Sequence, residues 1–77
     1  MAMTAEYRGV VAGGEQANQQ SNPLEAVDSD TILAEAHRIR DELLARGWAY
    51  LDPEEEFAQG FLAGWRTAVA FHAEWQA

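Results

Sequence analysis

The chain has 77 residues, no cysteine and a net charge of −8 from 13 acidic and 5 basic residues; one small domain fits, and disulfides and thiolate metal sites are excluded as staples for it. That charge opposes phosphate backbones and anionic membrane surfaces, so the expectation is no direct nucleic-acid binding, no membrane association, and a protein partner with a basic surface. The opening residues lack the basic and apolar regions of a leader, and no apolar stretch approaches the roughly 20 residues that span a bilayer, so the expected location is the cytoplasm.

Residues 1–22 are rich in Gly, Gln and Asn. They hold one short apolar run, Tyr7-Arg8-Gly9-Val10-Val11-Ala12, then Gly13-Gly14 and the polar tract Glu15 to Asn22. Gly9 weakens the run as a strand, and no second strand is evident to pair with it. The segment reads as a flexible polar arm, or as one pinned by a partner as an added edge strand or extended segment. Residues 23–77 read as a helical hairpin domain.

Asn22-Pro23-Leu24-Glu25 has an Asn cap, a proline at the first helical position and a capping-box acid, which predicts a short turn through Val27. Asp28-Ser29-Asp30 offers a second cap, with Asp30 as the capping residue, and a helix from about Thr31 to Arg46 follows. Its apolar positions Ile32, Ala36, Ile39 and Leu43 recur on one face, with Leu33 and Leu44 beside them. Glu35, Arg38, Glu42 and Arg46 occupy the other face at spacings that allow weak ion pairs, and His37 is expected to meet Asp41. Gly47 suits the left-handed residue of a Schellman cap, after which Trp48 folds back on Leu43.

A second helix opens at Asp52, with Pro53 in its first turn and Glu55 as the capping-box acid, and runs to about Trp75. The short connection Gly47 to Asp52 makes the two helices antiparallel neighbours. The main stripe is Phe57, Phe61, Gly64, Ala68, Phe71 and Trp75, and Leu62, Trp65 and Val69 form a second row. Leu24 and Val27 are expected to close the end of the core near Phe71 and Trp75. Gly60-x-x-x-Gly64 costs about 1 kcal/mol per glycine relative to alanine, so close approach of another helix is expected there. The antiparallel register brings Ile39 to Gly60 and Ala36 to Gly64; a second subunit or a partner helix is the alternative. The fold class is therefore all-α, an antiparallel two-helix hairpin with a short capped turn and an arm. Its apolar surface exceeds what one hairpin partner covers, which predicts completion by a homodimer resembling a four-helix bundle, or by a partner.

No residue set has the spacing of a catalytic or metal site: His37 and His72 lie far apart, and no H-E-x-x-H or phosphate-cradling glycine loop is present. The sequence thus predicts no enzyme activity, no cofactor and no metal. The candidate partner-binding residues are Glu54, Glu55 and Glu56, with Trp48, Tyr50 and Trp65 as aromatic anchors of the kind enriched at binding hot spots. The acids also complement the helix dipole, which is reason enough for them to be there. Mimicry of DNA by spaced carboxylates would need them spread along a surface, and here they are bunched at one cap.

Leu62-x-Gly64-Trp65-Arg66-x-Ala68 resembles the L-x-G-W-R-x-A stretch of ribosome modulation factor, a short helical protein that silences ribosomes; the likeness covers seven of 77 residues. That family is basic and binds ribosomal RNA, which the acidic charge here opposes. The whole profile is similar in style to small acidic phage-encoded proteins of the anti-CRISPR or host-takeover type. This resemblance implies a binding-type inhibitor that blocks a host protein or nucleic-acid-handling complex sterically and electrostatically. The alternative is a virion or assembly accessory whose arm threads onto neighbours.

Overall fold

Thr4 starts a helix where the sequence suggested an arm. Its hydroxyl accepts from the Tyr7 N–H at 3.1 Å, the bond of an N-cap. The computed structural model describes residues 4–19 and 28–76, with the side chains of 72–76 left aside. Within them lie three helices, α1 (Ala5–Asn18), α2 (Ser29–Ala45) and α3 (Glu54–Gln76), and no strand among the described residues. The all-α expectation holds. The two-helix hairpin with an arm does not, because the apolar run Tyr7 to Ala12 lies inside α1. The expected capped turn from Asn22 to Val27, with Leu24 and the boundary at residue 22, lies outside the described residues.

What holds α1 in place is a face with almost no side chains. Ala5, Gly9, Ala12, Gly13 and Ala17 are its buried residues, and that face lies along α3. A Cβ on Gly9 would collide with the carbonyl oxygen of Phe57 and lie 2.8 Å from the Phe61 nitrogen; one on Gly13 would collide with the Phe61 carbonyl. The reverse holds on α3, where a Cβ on Gly60 would strike the Glu6 carbonyl and one on Gly64 the Val10 carbonyl. Both sets of pairings rise together along the two chains, so α1 and α3 run parallel. Each glycine Cα–H points at a carbonyl of the other helix, the geometry of weak Cα–H···O bonds. Gly60 and Gly64 are thus close-packing residues as expected, but their neighbour is α1 and not Ile39 and Ala36 of α2.

The α2 helix packs on another side of α3 and touches α1 little. Arg66 Nη2 donates to Ser29 Oγ at 2.6 Å near one end, and His37 Nδ1 meets Glu54 Oε1 at 2.5 Å nearer the other, so the two chains run in opposite directions. His37 therefore pairs with Glu54 across helices and not with Asp41 along its own. The predicted apolar stripe is buried at Ile32, Ala36 and Ile39, while Leu33 and Leu43 pack partly against the core. Phe57 and Phe61 are fully enclosed, and their rings form a row with Trp65 at centroid separations of 6.2 and 6.1 Å. Leu51, from the α2–α3 connection, plugs the same core.

The helix ends are set by local chemistry. Asp28, two residues before the expected cap, accepts from the Thr31 N–H at 2.7 Å. Hydrogen bonding from the Thr31 side chain, and then from its backbone N–H, holds the Asp28 carboxyl below the ordinary value of 3.8, with burial opposing. Gly47 ends α2 with φ +83°, donating to Leu44, while the Trp48 N–H donates to Leu43, both at 3.0 Å. This is the Schellman motif the sequence predicts. Asp52 stands just before α3, and its Oδ1 accepts from Arg40, whose Nε also donates to the Leu51 carbonyl at 3.0 Å. Among the described residues no helix is long and apolar enough to cross a membrane.

A candidate binding cleft between α1 and α2

Because α1 and α2 both lean on α3 and hardly on each other, a cleft of about 620 Å³ opens between them. Val11 of α1 and Ile39 and Leu43 of α2 supply its apolar lining. Arg8, Arg38 and Arg46, three of the protein's five arginines, line it too, against Glu15 and Glu42.

The mouth of the cleft is built by the Schellman turn. The Trp48 backbone is fixed by its bond to Leu43, and the Arg8 guanidinium carbon sits 4.4 Å from the centre of its ring. A cation over an indole contributes about 0.5–1 kcal/mol at an exposed site and more where water is excluded. This contact ties the turn after α2 to α1, yet leaves the Trp48 side 44% exposed. Tyr50 is more exposed still, at 59%, and holds φ +65°, a backbone conformation that L-residues rarely adopt.

The three cleft arginines differ in what they already hold. Arg38 lies between two carboxylates: Nη1 donates to Glu42 at 2.7 Å, and Nε and Nη2 donate to Glu35. The hydrogen bond to Glu35, chiefly, raises its pKa further above the ordinary arginine value; desolvation opposes this, and the charges of Glu35 and Glu42 add to it. Arg8 has its Nε buried with no hydrogen-bond partner among the described residues. Arg46 has no ion pair among them.

The predicted partner-binding residues separate into two groups and a core residue. Trp48 is exposed in the cleft lining, and Tyr50, two positions on, is exposed but is not among the lining residues. Glu54, Glu55 and Glu56 form the exposed first turn of α3, with Glu54 paired to His37. Trp65, by contrast, is 6% exposed and packs against Phe61, so it belongs to the core. No group of three or more His, Asp or Glu is arranged to hold a metal among the described residues.

Tyr7, Arg8 and Val11 lie in a segment whose polar, glycine-rich composition reads as an arm, so the sequence does not single them out. One signal points to the segment: Gly9-x-x-x-Gly13, extended by Ala5 and Ala17, repeats the small-residue spacing of Gly60-x-x-x-Gly64. No protein family, no characterised protein and no solved structure matches this chain.

Proposed function

We propose that this chain is a protein-binding module, and that it acts by occupying a partner's surface. The observation that carries this reading is the Schellman turn, which sets a half-exposed tryptophan with a hydrogen-bonded backbone in the lining of an open cleft, with an exposed tyrosine two positions on. Tryptophan, tyrosine and arginine are the residues that dominate binding energy at interfaces. Fixing them before contact lowers the ordering cost of association. A cleft of 620 Å³ is also in the usual range of ligand-binding clefts.

The specific form we favour is an inhibitor of the kind small acidic phage-encoded proteins provide, working in the host cytoplasm on a protein or nucleic-acid-handling complex. In that form the cleft and turn seat a partner segment, and Glu54 to Glu56 meet a basic rim beyond it. An accessory that threads residues 1–22 onto its neighbours needs them extended, and residues 5–18 are instead wound into α1.

Affinity capture from host lysate, read by mass spectrometry, tests this. We expect one stoichiometric, salt-sensitive partner for the native chain, lost with Trp48→Ala/Tyr50→Ala and weakened with Glu54→Gln/Glu55→Gln/Glu56→Gln. A partner retained by both variants overturns the assignment of the face, and failure to capture any partner overturns the reading itself. Light scattering on the same sample reads the homodimer that the sequence led us to expect.

A further inference from the structure

We propose that the α1–α2 cleft takes a partner segment presenting a carboxylate beside an apolar side chain, with Arg8 and Arg46 receiving the carboxylate and Trp48 the apolar group. The proposal rests on reading the chain as a protein-binding module and names the chemistry of the segment it binds. Its basis is which arginines are already engaged. Arg40 is turned onto the Leu51 carbonyl and Asp52, Arg66 holds Ser29, and Arg38 lies between Glu35 and Glu42. That leaves Arg8 and Arg46, neither with an ion pair among the described residues. Both line the same cleft, and Trp48 joins them: Arg8 sits over its ring, and Arg46 precedes it by two positions in one turn.

A guanidinium offers its donors as a planar fork that matches a carboxylate, and it cannot shed its charge to escape burial. The Nε of Arg8 is closed off from solvent and has no acceptor among the described residues, so a carboxylate in the cleft would be met by the terminal nitrogens of that guanidinium. Val11, Ile39 and Leu43 give the same segment an apolar wall to lie on. The net charge of −8 opposes an acidic ligand at long range, but exposed charges beyond about 8 Å are screened at physiological salt. Inside the cleft the balance is three arginines against Glu15 and Glu42, and Glu42 is held by Arg38. A nucleic acid would need a longer basic track for its successive phosphates; two guanidiniums beside one indole suit a single acid group on a peptide.

Panning a displayed library of random short peptides on the full chain tests this directly. The overall charge acting alone selects Lys- and Arg-rich peptides, whereas the cleft selects Asp or Glu next to Leu, Phe or Trp. We expect the second set. Arg46→Gln, Trp48→Ala, or replacing the peptide's acid by its amide should each weaken binding about tenfold or more. Arg46 is exposed and outside the α1–α3 contact, so its variant keeps the fold; Arg8→Gln serves as the second arm. Selection of basic peptides that depend on Glu54 to Glu56 overturns the proposal and leaves the binding module standing. Absence of any selected peptide overturns it as well; a lysate partner lost with Trp48→Ala then keeps the broader reading. An oligonucleotide that binds more tightly than the peptides, and is released by Arg46→Gln, overturns it in favour of phosphate.

Discussion

Two adjacent glycines in α1 have opposite reasons to be there. A Cβ on Gly13 would collide with the Phe61 carbonyl oxygen and lie 2.8 and 2.9 Å from its carbonyl carbon and Cα, all backbone atoms that cannot rotate away. The nearest atom to a Cβ on Gly14 is the Gly64 oxygen at 3.9 Å, an ordinary contact. Alanine gains about 1 kcal/mol over glycine inside a helix, and overpacking costs typically 1–3 kcal/mol or more. At Gly13 the collision wins, since relief requires α1 to move off α3 as a body. We expect Gly13→Ala to destabilise the protein by about 2 kcal/mol, lowering the melting temperature by roughly 10 °C. Gly14→Ala should instead raise stability by about 0.5–1 kcal/mol. Thermal melts followed by circular dichroism separate them, and equal effects of one sign would mean the α1–α3 contact is looser than described.

At the scale of elements, the large apolar side chains of α2 and α3 made those helices legible. Ile32, Ala36 and Ile39 recur at helical spacing and are buried, and Gly47 followed by Trp48 announced the Schellman turn that the backbone bonds bear out. The α1 helix was illegible for the same physical reason that it fits. Its buried face is glycine and alanine, which carry little hydropathy signal and, in the case of glycine, oppose helix formation in isolation. The Gly60–Gly64 pair told of a close neighbour but not which one, and large residues drew the inference to α2. The consequence for the candidate site was direct, because half of the cleft lies on the element that was missed. An arm would be dispensable; α1 should not be. Deleting residues 1–19 exposes the backbone notch at Gly60 and Gly64 and uncovers the face of α3 that carries Phe57 and Phe61. We expect that deletion to abolish the cooperative thermal transition, and a sharp transition in the truncated chain would return these residues to the role of an arm.

Across the whole molecule, 13 acidic residues face 5 arginines, so like-charged pairs outnumber opposite ones. The ion pairs among the described residues are mostly exposed, as with Arg38 and Glu42 at about half exposure each, and such pairs contribute about 0–1 kcal/mol. Asp52 and Glu54 have Arg40 and His37 beside them, but Glu55 and Glu56 have no ion pair among the described residues. Salt weakens both the pairs and the repulsion, shortening the screening length from about 8 Å to about 3 Å between 0.15 and 1 M. Repulsion is the larger sum here, so the melting temperature should rise with added KCl; a fall would show that the ion pairs dominate. The same screening discriminates between the two faces in binding. A basic ligand held at the exposed Glu54 to Glu56 should lose affinity steeply as KCl rises. An acidic segment in the cleft should lose little, because its contacts with Arg8 and Arg46 lie within the screening length and its long-range repulsion by the rest of the molecule falls at the same time. Titrating the selected peptides at several KCl concentrations therefore reports which face they occupy.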